Sequence, residues 1–216
     1  MKIKISLILI TLFILISFTK KNEVFKVIPR AKSEKLESKS IIGDFDGDKK
    51  TDTLFEIHTS GDYKKVITEV PFIDEYDNMV DYYFKNSIRT SLKSSNNKIK
   101  NLDLGISFGV YCLINIGDNN NDKKDEIALV IDYCDYSSLN SCIIYSFCNN
   151  NWEIIKHFTI NENSFDYIES EKLEPNKINN YLEKKDGKWF YADALEIFRS
   201  YDTIMKMKRL KIKKCQ

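Results

Sequence analysis

The chain has 216 residues, 43% of them apolar and 12% aromatic, enough to bury one good core with a small appendage and too apolar for a disordered tail. Lys and Arg number 33 against 32 Asp and Glu, a net charge of +1, which excludes a global electrostatic drive toward nucleic acid or an anionic membrane surface. His58 and His157 are the two histidines, each in a strand-like run, and no GxSxG, HExxH or phosphate-loop pattern is present.

Residues 1–19 read as an export signal. Lys2 and Lys4 precede an apolar run at 5–18, which falls short of the roughly 20 residues a membrane-spanning helix needs and gives way to Thr19-Lys20-Lys21-Asn22-Glu23. A retained anchor is the alternative. Phe18 stands where a lipoprotein signal would carry its cysteine. The mature chain is expected to be periplasmic, on the cell surface or secreted, with no membrane span. Residues 20–39 follow as a linker holding a short strand candidate at 24–28, and residues 40–216 are expected to form a single β-rich domain.

The most informative stretch is IIGDFDGDKKTDTL at 41–54, with Asp44, Asp46, Asp48 and Asp52 at loop positions one, three, five and nine. Carboxylates on alternate residues of a curled loop converge on one point, which suits a hard divalent cation that takes oxygen ligands only. A second copy, IGDNNNDKKDEIAL at 116–129, places Asp118, Asn120, Asp122 and Glu126 at the same positions, 74 residues further on (118 minus 44). Both loops run between strand-like segments, which separates them from a helix-flanked EF-hand. The alternative is a pair of hydrophilic turns, since Asp and Asn favour turns without metal. Clustered carboxylates repel unless a cation sits among them, and this favours calcium.

Downstream of the first loop, 64–72 is an extended run ending at Pro71, and 74–101 is compatible with either a strand or a short helix around Tyr82-Tyr83-Phe84. Four β-branched or aromatic runs at 106–116, 126–134, 142–148 and 152–160, separated by turn signals, predict a four-stranded antiparallel meander. Asp186-Gly187 predicts a tight hairpin turn between 181–183 and 189–191. The basic and apolar tail at 204–216 reads as an edge strand with solvated lysines. All five cysteines lie between Cys112 and Cys215 without a CxxC spacing, so zinc is disfavoured. Cys134 and Cys142, bracketing DYSSLNS, are the preferred disulfide pair, with small buried residues as the alternative.

The loops and their flanking strands resemble FG-GAP or VCBS repeats, the calcium-loop units of integrin-α-like β-propellers, many of them in exported bacterial proteins. The resemblance covers both loops and, in the second copy, a blade-sized unit at 105–160. It implies a mostly β fold of antiparallel hairpins and meanders like partial propeller blades, with a C-terminal hairpin unit. It also implies side-chain oxygens from Asp44, Asp46, Asp48 and Asp52 with the Lys50 carbonyl, and from Asp118, Asn120, Asp122 and Glu126 with the Lys124 carbonyl. Position six, usually Gly, is Lys49 and Lys123, so either a lysine adopts a left-handed backbone there or the loop geometry shifts, and weaker binding is expected. Two units do not close a propeller, which takes typically four to eight blades. The functional expectation is an exported, calcium-stabilised binding module for a protein or glycan. An inhibitor or immunity-type partner of an extracellular enzyme and a carboxylate-dependent hydrolase are the alternatives. The first loop, with more anionic ligands, is expected to contribute more to stability.

Overall fold

In the computed structural model, residues 32–61, 65–162, 178–196 and 206–215 are described. The signal segment at 1–19 and the strand candidate at 24–28 lie outside them, as does nearly all of the bridge at 161–178. The architecture is mostly β and antiparallel, as the sequence predicts. The strands are β1 (Ser33–Lys35), β2 (Ser40–Gly43), β3 (Asp52–Ser60), β4 (Lys65–Ile67), β5 (Glu69–Pro71), β6 (Arg89–Ser94), β7 (Leu102–Gly117), β8 (Glu126–Tyr133), β9 (Leu139–Cys148), β10 (Asn151–Asn161), β11 (Leu182–Lys185), β12 (Lys188–Tyr191) and β13 (Lys208–Arg209), with one described helix of ten residues, α1 (Tyr76–Lys85).

The main sheet runs β10-β9-β8-β7-β6-β3-β2, with β4 paired to β3. Its pivot is β7. Leu102–Ile106 pair with β6, whereas Ser107–Gly117 pair with β8 across three register shifts. Such bulges bend a strand and increase its twist. The sheet is thereby divided into two four-strand runs: β2, β3, β6 and the start of β7, then the rest of β7, β8, β9 and β10.

Alternation along the central strands explains how these runs stack. Ile127, Leu129 and Ile131 of β8 face one cluster with Ile143, Tyr145 and Phe147 of β9, and there they meet Phe45, Leu54, Leu92, Leu102 and Leu104 of the first run. The intervening Ala128, Val130, Cys142 and Ile144 face the opposite way, onto Tyr181, Leu182, Trp189 and Leu210 of the C-terminal unit. A strand buried on both faces must be apolar throughout, which is why β8 reads EIALVI without polar alternation. Trp189 is anchored by its ring N–H, which donates to the Ile116 carbonyl at 2.7 Å.

Both expected turns are present, and the one at Asp186-Gly187 has the type that the sequence predicts. Asp186 (φ 50°) and Gly187 (φ 72°) close the β11–β12 hairpin, and Asn149 (φ 48°) and Asn150 (φ 62°) close β9–β10. Both central residues at positive φ mark a type I′ turn, whose twist matches the strands.

Several expectations need correction. The stretch 20–39 is not all linker, because β1 pairs with β5 (Glu34 opposite Val70) and Leu36 packs under α1; the compact unit therefore begins at Ser33. The run at 64–72 is two short strands with different partners, β3 and β1. Residues 74–101 contain α1 followed by β6. Among its described residues the tail contributes only Lys208–Arg209 as a strand.

Cys134 and Cys142 are not bonded to each other: both are free, and the disulfide joins Cys148 to Cys215 with Cα atoms 5.5 Å apart. Register explains this. Cys142 lies opposite Val130, four residues before Cys134 along β8, so the two cysteines are separated by roughly 13 Å of strand, beyond the reach of a disulfide. They also enter different clusters, Cys134 beside Tyr83 and Ile88, Cys142 beside Ile144 and Phe158. No helix among the described residues is long and apolar enough to cross a membrane.

Candidate metal centre

Each candidate loop is the connection between the first two strands of a four-strand run: β2 to β3 for the first, β7 to β8 for the second. Their short Asp and Asn side chains fold back onto nearby backbone N–H groups and hold the chain in a tight curl. In the first loop Asp44 Oδ2 accepts from the Lys49 N–H at 2.9 Å, Asp46 Oδ1 from the Asp48 N–H at 3.1 Å and Asp48 Oδ1 from the Lys50 N–H at 2.9 Å. In the second, Asp118 Oδ2 accepts from Lys123 at 2.9 Å, Asn120 Oδ1 from Asp122 at 2.9 Å and Asp122 Oδ1 from Lys124 at 3.0 Å. The three bonds correspond position for position. Lys49 (φ 67°) and Lys123 (φ 73°) take the left-handed backbone that position six demands.

Asp44, Asp46 and Asp48 bring carboxylate oxygens within 4.8 Å of one another, and so do Asp118, Asp122 and Glu126. Asp52 stands apart from the first cluster. It is 4% exposed at the start of β3, and its Oδ2 has no hydrogen-bond partner. Burial raises its pKa, the Asn96 amide opposes that, and the charges of Asp46 and Asp48 add to it. Asn120 does not aim its amide nitrogen outward but donates it to Glu126 Oε1 at 2.8 Å. Glu126 is fully buried and pushed up to about 7, chiefly by that burial, against hydrogen bonds from Asn119 and reinforced by the charges of Asp122 and Asp118. The Lys50 ammonium lies 3.8 Å from Asp48 Oδ2 at the edge of the first cluster, whereas the Lys124 ammonium donates to the Phe147 carbonyl at 2.8 Å.

The donors fit a hard cation. They are oxygen atoms without sulfur or imidazole, and two buried carboxylate oxygens, Asp52 Oδ2 and Asp122 Oδ2, are left unpartnered where an unpaired polar atom is costly. No family model, curated protein or solved structure matches the chain. The chemistry of the donor set therefore carries the functional reading.

Sequence spacing did not reveal that the loops touch. Asp125 N–H donates to the Asp44 carbonyl at 2.8 Å while Asp125 Oδ2 accepts from the Asp44 N–H at 3.1 Å and from Asn115 Nδ2 at 2.9 Å. Gly43 permits this approach, because a Cβ there would sit 2.4 Å from Asn115 Nδ2. The one available signal was an acid at loop position eight, where the first copy has Thr51. Asn96, from the β6–β7 turn, also escaped notice; it donates to Asp46 Oδ2 at 3.0 Å.

A cleft of about 460 Å³ lies away from the loops, between β1, α1 and the main sheet, and is lined by Glu34, Glu56, Tyr76, Tyr83, Phe108 and Asp132 among others. Glu56 is buried at its base, accepting from the Lys39 N–H at 3.1 Å and the Val110 N–H at 3.0 Å, with His58 Nε2 at 3.6 Å. His157, by contrast, is exposed on β10.

Proposed function

We propose that the chain is an exported binding module of the FG-GAP/VCBS type, stabilised by calcium at both loops. The observation that carries this reading is the duplicated loop itself, with corresponding hydrogen bonds, a left-handed lysine at position six and three converging carboxylates in each copy. Asp44, Asp46 and Asp48 would hold the first ion, and Asp118, Asp122 and Glu126 the second. Bound calcium would supply charge neutralisation and cross-linking of strands. Support for a structural role comes from the position of each loop at a strand turn, where an ion would fix the hairpin. The ligand is a protein or glycan outside the cytoplasm, and exposed aromatics support such a surface: Tyr136 is 74% exposed and packs at a tilt against Tyr76 with ring centroids 4.9 Å apart. Calcium titration by calorimetry tests the reading: about two ions per chain, lost in loop variants, is the expected result; no binding at millimolar calcium would reject it.

A hydrolase is the second reading, favoured by one observation: Glu56 and Asp132 line the same cleft. The two backbone N–H donors on Glu56 suit an anchoring role better than proton transfer. Turnover of chromogenic glycosides that disappears in both E56Q and D132N would establish it.

A further inference from the structure

The second loop is clasped from outside by a segment far away in sequence. After β13, Leu210 enters the core through its side chain, with its N–H donating to the Trp189 carbonyl at 2.8 Å. The chain then passes over the loop: the Lys213 carbonyl accepts from Asn120 Nδ2 at 3.4 Å, and the Lys214 ammonium donates to the Asn121 carbonyl at 3.1 Å. One residue later Cys215 is bonded to Cys148 at the end of β9, 67 residues away. The neighbouring Phe147 holds the opposite side of the loop by accepting from Lys124. Asn120 is the hinge of this arrangement, because the same amide nitrogen that meets the tail orients the buried Glu126. Among the described residues the first loop has no such cover from the tail; Asn96 of the adjoining β6–β7 turn contacts it instead.

We infer that residues 210–215 form a disulfide-held strap that positions the ligands of the second loop, so that cation binding there, and not at the first loop, depends on the oxidation state of Cys148–Cys215. This rests on the cation reading of the loops. Opening the strap is thiol–disulfide exchange. A dithiol reductant attacks as its thiolate, most directly at half-buried Cys215 because Cys148 is fully buried, to give a mixed disulfide and the Cys148 thiolate. The second thiol of the reductant then resolves the mixed disulfide, leaving two protein thiols and one oxidised reductant, a two-electron, two-proton exchange. Without the covalent end, Lys213 and Lys214 no longer hold the Asn120–Asn121 edge. Loss of a group that orients ligands lowers metal affinity by about 10- to 100-fold.

The test uses the full mature chain and calcium as the probe, with D44N/D48N isolating the second loop and D118N/D122N isolating the first. Each is titrated oxidised, after dithiothreitol, and in a C215S background, with circular dichroism as the folding control. The expected result is a weakening of at least about tenfold at the second loop with the first loop unchanged. Hydrogen exchange supplies a second readout, since the amides of Asp122, Lys123 and Lys124 should exchange faster on reduction. Equal affinities before and after reduction would overturn the strap and leave the cation reading intact. Weakening of both loops together would overturn it too, as a global effect. No calcium binding in the oxidised protein would remove both readings.

Discussion

The two loops share a hydrogen-bond pattern and differ in what surrounds it. The first springs from β2, a four-residue edge strand, and leaves Asp48 exposed. The second joins β7 to β8 in the interior of the main sheet, buries Glu126 completely, and lies under the C-terminal strap. Charge count and enclosure therefore point in opposite directions. The first loop carries four carboxylates in sequence, of which Asp44, Asp46 and Asp48 converge while Asp52 stands apart; the second replaces one with Asn120, whose side chain orients Glu126. Local sequence sets the curl of such a loop, whereas distant segments set how firmly its ligands are held.

The comparison is broken most severely by removing the strap's covalent end. Replacing Cys148 and Cys215 by Ser frees a loop closed over 67 residues and should lower unfolding stability by about 2–4 kcal/mol in denaturant titrations. Calcium comes next. An ion bound only by the folded state at about 100 times its dissociation constant adds about 2.7 kcal/mol per site. D44N/D48N should abolish more of the calcium-dependent rise in melting temperature than D118N/D122N, and magnesium should replace calcium poorly because it keeps its waters and demands octahedral geometry.

Smaller effects sharpen the comparison. Asp125→Ala removes the carboxylate that accepts from Asp44 and Asn115, and should cost about 1.5–3 kcal/mol by chemical denaturation. If calcium at one loop also affects the other, this variant should uncouple them. Glycine at Lys49 or Lys123 relieves a left-handed lysine, and should raise stability by up to about 1 kcal/mol at each position. The first run carries a pH dependence of its own. Burial raises the Glu56 carboxyl above its ordinary 4.5, opposed by the Lys39 N–H, His58, the Lys39 charge and the Val110 N–H. The folded state then holds this proton more tightly than the unfolded chain, so stability present at low pH is lost as pH rises from about 4.5 through the folded value. E56Q should flatten that fall in pH-resolved melting curves, with H58Q separating the neighbouring ring's contribution.

The meander and the I′ turn at Asp186-Gly187 were legible in the sequence because each depends on residues within a few positions, β-branched runs and an Asp-Gly pair; the Asn149-Asn150 turn was legible without its type, and Lys49 and Lys123 as candidates for a left-handed backbone, from a turn position that ordinarily takes Gly. Strand β1 was not, since Ser33-Glu34-Lys35 is polar, without a β-branched or aromatic side chain, and its partner lies about 35 residues away. Helix α1 was ambiguous because its aromatic residues suit either structure, and contact with Phe108 and Cys134 decided the outcome. The disulfide was misassigned because chain proximity is a weak guide to pairing: Cys134 and Cys142 are close in sequence but out of register, while Cys148 and Cys215 meet only once the C-terminal unit has docked. The same holds at the site. The spacing of the loop carboxylates was readable, but the clasp at Asp125 and the contacts of Asn96 and Lys213 arise from elements that pack together across the fold.

Isothermal titration of the oxidised protein with calcium, alongside D44N/D48N and D118N/D122N, tests the central claim most directly. Two binding events are predicted, the tighter one absent from D44N/D48N and the weaker one from D118N/D122N. A heat-silent titration, together with a melting temperature indifferent to millimolar calcium, would contradict the account and return both loops to polar turns.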